Sequence, residues 1–400
     1  MCQYENAFGH PTQSRHRLTL ARDAMYPEGM PNVPQRPPWV PDEGGRAFAT
    51  SVMPGKEYSD PSPGPVSLSR RMPGVEELVT GIFGGDRAIL SRAITLIESN
   101  APAHRPMARE VLHRIGERPG FSHRVGISGV PGAGKSTFIE ALGNHLCDSG
   151  HRVAVLAVDP SSSLTGGSIL GDKTRMETLS RREDCFIRPS PSGGALGGVA
   201  RKTRETIAVC EAAGFDVVLI ETVGVGQSEI AVRAMVDCFL LLLIAGAGDD
   251  LQGMKKGIFE IADILLINKA DGENRIRAEA TRLNFERVIH FLCPATVGWE
   301  PPALTVSAIS RTGISEAWAE VESYFAHIRS DGQFGARRRE QSLAWWRTLV
   351  EQELRIRFLD DPSVAALSKQ LESDILSGIL APSLAAEEIL KRLSFTPTPP

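Results

Sequence analysis

A glycine-rich run that ends in lysine and serine has the clearest chemistry in this 400-residue sequence. It consists of Gly129, Val130, Pro131, Gly132, Ala133, Gly134, Lys135 and Ser136, with Thr137 next in the chain. In a G-x-x-x-x-G-K-[ST] pattern, glycines let backbone N–H groups face phosphate oxygens, the lysine neutralises β- and γ-phosphate charge, and the serine hydroxyl can bind Mg²⁺. An apolar segment precedes the run and an amphipathic segment follows it, as a strand-to-helix phosphate loop requires. The sequence therefore predicts a site for a nucleoside triphosphate and magnesium.

A second motif predicts which base this site binds. It consists of Asn268, Lys269, Ala270 and Asp271, at the end of an apolar segment. A carboxylate at Asp271 can accept hydrogen bonds from both N1–H and the exocyclic amino group of guanine, whereas adenine offers no such pair of donors. We expect Asn268 and Lys269 to brace the loop and cover the base, and Ser307 and Ala308 to lie at the end of another strand beside it. The motif therefore favours GTP over ATP.

Acidic residues at the ends of two further apolar segments are candidates for the magnesium ligands. Asp159 follows the segment 153–158, and Glu221 ends the segment 216–221. In open α/β sheets ligands lie outside the carboxyl ends of the strands, so both acids should lie beside the phosphates. Polar, glycine-rich loops follow both positions and contain Asp172, a third candidate ligand, and Gln227, a candidate for orienting the attacking water.

The elements that position these residues are predicted by an alternation of short β-rich segments and helical segments between 124 and 309. This alternation is typical of βαβ units around a mostly parallel sheet. We expect a P-loop NTPase of the α/β class with additional helices at both ends. The predicted strands are 124–128, 153–158, 216–221, 238–244, 263–268 and 303–307.

Four regions are predicted along the chain. Residues 1–72 hold 11 of the 27 prolines, which indicates a disordered extension or a start assigned too early, since Met72 precedes the first periodic segment. Residues 73–120 predict a helical subdomain, and 121–312 predict the nucleotide-binding domain. Residues 313–400 predict a helical region with helices at 314–330, 337–359, 363–378 and 383–393.

Composition excludes several classes of function. The net charge of −4 disfavours a nucleic-acid partner, and the longest apolar run, 239–247, is too short to span a bilayer. The six cysteines lie far apart, with neither a C-x-x-C pair nor a Cys/His cluster. We therefore expect a cytoplasmic protein with reduced thiols.

Longer strings around these motifs resemble one family, the MeaB/ArgK-like P-loop GTPases, which includes relatives of the human methylmalonic aciduria type A protein. The strings are GVPGAGKSTFIEAL, VDPSSS, GGSILGDKTRM, RPSPSGGALGGVARKTRE, ETVGVGQSE, GDDLQGMKKGI and NKAD. The resemblance extends from about Val75 to the C-terminal helices and does not cover residues 1–72. It implies a slow, Mg²⁺-dependent GTPase that is a chaperone of an adenosylcobalamin-dependent acyl-CoA mutase, gating cofactor loading and protecting or reactivating the mutase.

The resemblance also implies roles for individual residues. Lys135 and Ser136 would bind phosphate and magnesium, Asp271 would bind guanine, and the remaining metal ligands would be Asp159, Asp172 and Glu221. Lys255 would reach the nucleotide when the partner docks. Cobalamin would be handled by the client mutase and not bound tightly by this chain.

The family forms homodimers, often through C-terminal elements. The predicted helix 337–359 contains Arg337, Arg338, Arg339, Trp345 and Trp346, which are candidates either for dimer contacts or for packing within the chain.

Two other functions are open to a protein of this class. One is an ATP-dependent kinase or ATPase of a lysine/arginine/ornithine transport system, which the guanine-type motif at Asp271 disfavours. The other is a metal-insertion GTPase, which usually carries His-rich or C-x-x-C segments that this sequence lacks.

Overall fold

The apolar segments form a parallel sheet. The structure is a computed structural model. It describes residues 72–116, 122–158, 176–189, 196–222, 228–245, 256–289 and 294–392. The described strands form one seven-stranded sheet in the order β3-β2-β4-β1-β5-β6-β7, and every neighbouring pair is parallel. They are β1 His123–Gly129, β2 Val153–Val158, β3 Cys185–Arg188, β4 Val217–Thr222, β5 Cys238–Ile244, β6 Ile264–Asn268 and β7 Ala303–Thr305. The predicted α/β P-loop NTPase fold is confirmed.

Helices cover both faces of this sheet and continue beyond it at both ends. The N-terminal helices are Val75–Phe83, Arg87–Glu98 and Arg105–Ile115. The helices between strands are Lys135–Asp148, Glu177–Ser180, Leu196–Ala212, Ser228–Arg233, Lys256–Glu260 and Asn274–Ile289. The C-terminal helices are Ile314–Ser330, Gln333–Leu359, Pro362–Leu376 and Pro382–Leu390.

Local signals explain where several of these helices begin. The Asp361 side chain accepts hydrogen bonds from the backbone N–H groups of Ser363 and Val364, and Pro362 occupies the first turn. The helix predicted at 337–359 begins earlier, at Gln333, because Gly332 adopts a left-handed conformation with φ 69° and starts the next helix directly after a short turn.

The hydrophobic core lies on both faces of the sheet. Strand β5 shows why the central strands of the sheet are almost continuously apolar. Phe239, Leu241 and Leu243 pack with the N-terminal helices and the helix Leu196–Ala212. Leu240 and Leu242 point to the opposite face, where they pack with Lys135–Asp148 and Ile314–Ser330. Alternate residues of each central strand are therefore buried on opposite sides.

Two strands differ from the sequence prediction. The edge strand β3 was not predicted, because four residues are too few to show a periodicity. The strand predicted at 303–307 ends at Thr305, and Ser307 instead forms an antiparallel bridge with Thr312. The chain turns there and brings Ser307 beside the end of β6.

The register of the sheet brings the predicted site residues to one edge. Ile127 of β1 is aligned with Glu221 of β4, and Ile244 of β5 is aligned with Asn268 of β6. Because the strands are parallel, the carboxyl ends of β1, β4 and β6 meet at the same edge. None of the described helices combines the length and the apolar character needed to cross a membrane.

Candidate nucleotide site

The glycine-rich run forms a tight loop between β1 and the helix Lys135–Asp148. Gly129 has φ 153°, and a Cβ atom there would lie 2.3 Å from the carbonyl oxygen of Leu242. Gly134, with φ 83°, begins the helix, and a Cβ atom there would lie 2.9 Å from Nδ2 of Asn268. Larger residues would clash at both positions. The loop therefore needs its glycines to approach β5 and β6 closely, which leaves its N–H groups at a helix N-terminus suited to phosphate.

Lys135 is held over this loop. Its ammonium group donates hydrogen bonds to the carbonyl oxygens of Gly129 at 2.8 Å and Val130 at 3.2 Å. The residue is only 9% exposed, and burial lowers the pKa of its ammonium group, while the charges of Glu221 and Glu229 act in the opposite direction. The structure thus places a buried lysine on the glycine-rich loop, close enough to Glu221 and Glu229 to be affected by their charges.

Ser136 and Glu221 lie in direct contact, at a spacing compatible with a shared magnesium ion. The Ser136 hydroxyl donates to Oε1 of Glu221 at 2.9 Å. Two adjacent oxygen ligands of an octahedral Mg²⁺ ion lie about 2.9 Å apart, so this pair fits two neighbouring coordination positions. The end of β4 is held beside β1 by a further hydrogen bond, from the Thr222 hydroxyl to the Ser128 hydroxyl at 2.8 Å.

The other candidates for the metal site and the catalytic loops lie outside the described residues. These are Asp159, Asp172, Gln227 and Lys255. Within the described part of the chain, no group of three or more His, Cys, Asp and Glu side chains could hold a metal ion. The described candidates for magnesium ligands are therefore one hydroxyl and one carboxylate, a set that Mg²⁺ commonly completes with water and substrate phosphates.

Asn268 connects the phosphate loop to the predicted base-binding loops. Its Nδ2 donates to the carbonyl oxygen of Ala133 at 2.8 Å, and its Oδ1 accepts from the N–H of Ala308 at 3.3 Å. The side chain is 1% exposed. The predicted bracing role of Asn268 therefore corresponds to hydrogen bonds that join three separate segments.

Asp271 and Ser307 also meet at this edge. The Ser307 hydroxyl donates to Oδ2 of Asp271, and the Asn274 side chain donates to the carbonyl oxygen of Lys269 at 2.7 Å. Lys269 has φ 61°, a left-handed conformation that turns the chain at the end of β6. This turn exposes the Lys269 side chain while Asp271 is half-buried, an arrangement suited to covering a base and binding its edge.

The comparison with protein families agrees with this geometry. A sequence model of the family described as methylmalonyl-CoA mutase-associated GTPase MeaB matches residues 90–363. This chain belongs to the MeaB family of P-loop GTPases. A probable GTPase of Mycobacterium bovis is 52% identical over 322 residues, which cover 80% of this chain and 96% of that relative.

The chain is also similar to an animal protein and to a solved structure. The mouse protein named methylmalonic aciduria type A homolog, mitochondrial, is 43% identical over 327 residues, which cover 79% of each chain. A crystal structure of a LAO/AO transport system kinase superposes with a TM-score of 0.63 at 36% identity, covering 80% of this chain and 97% of that one.

Sequence reasoning missed one residue of this MeaB-family site. Glu229 lies in the helix Ser228–Arg233, is 3% exposed, and contributes to the electrostatic environment of Lys135. Its Oε2 atom has no hydrogen-bond partner among the described residues. The available signal was its place at the end of the string ETVGVGQSE, two positions after Gln227, but nothing in that spacing indicated a role beside the phosphates.

Proposed function

We propose that this protein is a Mg²⁺-dependent GTPase chaperone of an adenosylcobalamin-dependent acyl-CoA mutase of the methylmalonyl-CoA mutase type. In this role it gates the loading of the cofactor and protects or reactivates the mutase. The observation that carries the proposal is the match to a family described by its association with methylmalonyl-CoA mutase. The guanine-type motif at the edge of the sheet supports it.

The candidate residues would each have a separate part in binding and hydrolysis. The backbone of 129–134 and the Lys135 ammonium group bind the phosphates, Asp271 binds guanine, and Asn268 and Lys269 shape the base pocket. Ser136 and Glu221 would hold Mg²⁺ together with Asp159 and Asp172, and the bound ion would neutralise charge on the β- and γ-phosphates. Gln227 would orient the attacking water, and Lys255 would complete the site when the partner docks. Hydrolysis to GDP and phosphate is therefore expected to be slow alone and faster with the mutase.

We further propose a cytoplasmic homodimer formed through the helix Gln333–Leu359. Leu343, Trp346, Val350 and Leu354 recur at spacings of three and four residues and are 55%, 60%, 39% and 61% exposed. Such a stripe on one helix face suits an identical stripe on a second copy, because an isologous contact buries both at once. Within the described residues all four cysteines are free thiols, which supports a reducing compartment.

The chaperone role is tested by comparing nucleotide states. The purified protein is immobilised with a non-hydrolysable GTP analogue or with GDP and exposed to native extract, and retained mutase is identified by mass spectrometry and by its activity. We expect more cobalamin-dependent mutase in one state than in the other. Equal retention in both states, or GTP turnover that does not change when the purified mutase is added, would contradict the proposal.

A transport-system kinase is the second candidate, because the superposed structure is that of a LAO/AO transport system kinase. Competition against labelled GTP separates the two functions. A GTPase chaperone should lose the label to unlabelled GDP and not to ATP at the same concentration, whereas displacement by ATP would favour the kinase.

A further inference from the structure

A cleft that shares no residue with the nucleotide site lies between the N-terminal helices and the C-terminal part of the molecule. Its volume is about 480 Å³, and it is lined by residues of Arg105–Ile115, of Leu196–Ala212 and of the last two turns of Gln333–Leu359. A volume of this size is within the range of small-molecule sites. Three helices from distant parts of the sequence therefore form a second site that could bind a ligand.

The acidic side chains in this cleft are largely compensated by neighbouring arginines. Glu205 accepts a hydrogen bond from Arg201 at 3.1 Å. Glu353 accepts one from Arg357 at 3.0 Å and lies 3.7 Å from Arg109. The five basic and three acidic side chains that line the cleft thus leave an excess of positive charge.

Three cations lining the cleft have no carboxylate partner in the described part of the chain. Lys202 donates to Oδ1 of Asn100 at 2.7 Å and forms no described ion pair. No described ion pair involves Arg105 or Arg355 either. Burial lowers the pKa of the Lys202 ammonium group, while the charges of Glu98 and Glu205 act in the opposite direction without forming an ion pair with it, so an anion in direct contact would add to this compensation.

The same cleft offers apolar surface beside these cations. Ile97 is 5% exposed, and Ala108, Leu112 and Ile356 are half-buried along the lining. A simple inorganic anion would contact the cations only and leave the apolar surface of the cleft exposed to water. An amphipathic anion would use both, because burial of its apolar part adds to the charge interactions.

We propose that this cleft binds an amphipathic organic anion of the acyl-coenzyme A class, with its phosphates on Lys202, Arg105 and Arg355 and its apolar part on Leu112 and Ile356. A fatty-acid carboxylate shares the chemistry of an anionic head on an apolar chain. The choice of the coenzyme A class rests on the proposed function, since a chaperone of an acyl-CoA mutase works where such thioesters are bound. The existence of the site depends only on the cleft.

Calorimetry on the full chain tests the site without the mutase. Octanoyl-CoA, octanoate and inorganic phosphate are titrated separately into protein saturated with GDP, so that the nucleotide site is occupied. We expect octanoyl-CoA to bind, and Lys202→Gln and Arg355→Gln each to weaken it about tenfold, the effect of losing one charge-assisted hydrogen bond. Arg347→Gln, an exposed change on the same long helix outside the cleft, should leave the affinity unchanged.

The remaining outcomes either support or overturn the proposal. If octanoate binds and Lys202→Gln weakens that binding, the site is supported and its anionic ligand is a fatty acid. The proposal is overturned if no probe binds, if phosphate binds as tightly as octanoyl-CoA, or if binding is indifferent to both cleft variants. Arg355 is exposed, so Arg355→Gln keeps the test valid should Lys202→Gln fold poorly. Because no hydrolysis or mutase is involved, failure here leaves the chaperone proposal standing.

Discussion

At the scale of single residues, we expect Asp271 to decide which nucleotide is bound. Ser307 already donates to one of its carboxylate oxygens, which orients the group before any ligand arrives. Asp271→Asn replaces an acceptor with a donor at the position facing N1–H of guanine. We expect GTP affinity to fall at least about a hundredfold, the cost of an unpaired polar group and a lost charge-assisted pair, and xanthosine triphosphate to bind better than GTP.

Nucleotide titration with a fluorescent analogue measures this change. The matched control is Glu273→Gln, an exposed carboxylate of the same loop whose removal should leave both affinities unchanged. Undiminished GTP affinity in Asp271→Asn would remove Asp271 from the base pocket.

A substitution of Lys135 tests the proposed phosphate end of the nucleotide site. Its ammonium group donates hydrogen bonds to the carbonyl oxygens of Gly129, which is buried, and of Val130, which is half-buried. Lys135→Ala should abolish measurable GTP hydrolysis in single-turnover assays, because phosphate charge is no longer neutralised. The free energy of unfolding should fall by only about 1 to 2 kcal/mol. A collapse of the fold would instead make Lys135 a structural residue.

At the scale of elements, the long helix Gln333–Leu359 is attached to the sheet by a buried ion pair. Arg338 donates to both carboxylate oxygens of Asp237, at 2.9 and 2.6 Å, and Asp237 is 0% exposed at the start of β5. Beside it, Arg337 donates to the carbonyl oxygen of Asp237 at 2.5 Å and to the Thr296 hydroxyl at 2.8 Å. These two arginines therefore pack within the chain.

Removing one member of this pair leaves a buried charge without a partner. Arg338→Gln should lower the free energy of unfolding by about 3 to 5 kcal/mol. Denaturant titration measures the loss, and Arg339→Gln, an exposed neighbour on the same helix, should change it by less than about 0.5 kcal/mol. If both variants lower the free energy of unfolding equally little, the contact between Arg338 and Asp237 contributes little to attaching the helix.

Sequence reasoning reached the phosphate and base motifs because their chemistry is local, with all the residues within a few positions of each other. It could not reach the contact between Arg338 and Asp237, which are 101 residues apart and show no pattern that pairs them. The same reasoning left Arg337, Arg338, Trp345 and Trp346 open between dimer contact and packing. The structure separates them: Arg204 lies 5.1 Å from the ring centre of Trp345, whereas Trp346 is 60% exposed.

At the scale of the whole molecule, we expect the exposed stripe on the long helix to determine the oligomeric state. Trp346→Glu places a charge in the centre of the proposed contact between two copies. We expect at least about a thirtyfold weaker dimer, as for a central aromatic residue of an interface. Light scattering across a concentration series measures the dimer dissociation constant, and Ala344→Glu, an exposed change turned about 100° around the helix from Leu343, is the control. A wild-type protein that is monomeric at all concentrations would contradict the dimer.

Stability of the whole fold should decrease in mild acid because of His123. Burial lowers the pKa of its imidazole to about 4, with the charge of Arg329 acting in the same direction, and the ring packs edge-on against Phe325 with centroids 4.2 Å apart. Above pH ~6.5 the imidazole is neutral in both folded and unfolded chains. As the pH falls from there towards 4, the unfolded chain binds a proton that the folded chain does not, so the free energy of unfolding decreases, by no more than ~3 kcal/mol.

Urea midpoints measured between pH 7.5 and 4 test this effect. His123→Phe keeps a ring in place and removes the titration, so its stability should decline less steeply than that of the wild type across this range. His113→Phe, at an exposed histidine, should follow the wild-type curve. Parallel curves for all three proteins would show that the imidazole is not responsible.

The hydrogen bonds of Asn268 have one more consequence. Because a single buried amide joins the P-loop to the turn after β7, the distance between the two ends of the ligand is set before any ligand enters. Guanosine and pyrophosphate, offered as separate molecules, should each bind one of two half-sites whose spacing is held by Asn268. Joined in one molecule, the two groups should bind with much higher affinity than separately, because binding of one places the other at its own half-site. A nucleotide with a shortened or lengthened sugar–phosphate link should lose most of this gain in affinity, even though every recognised group is still present.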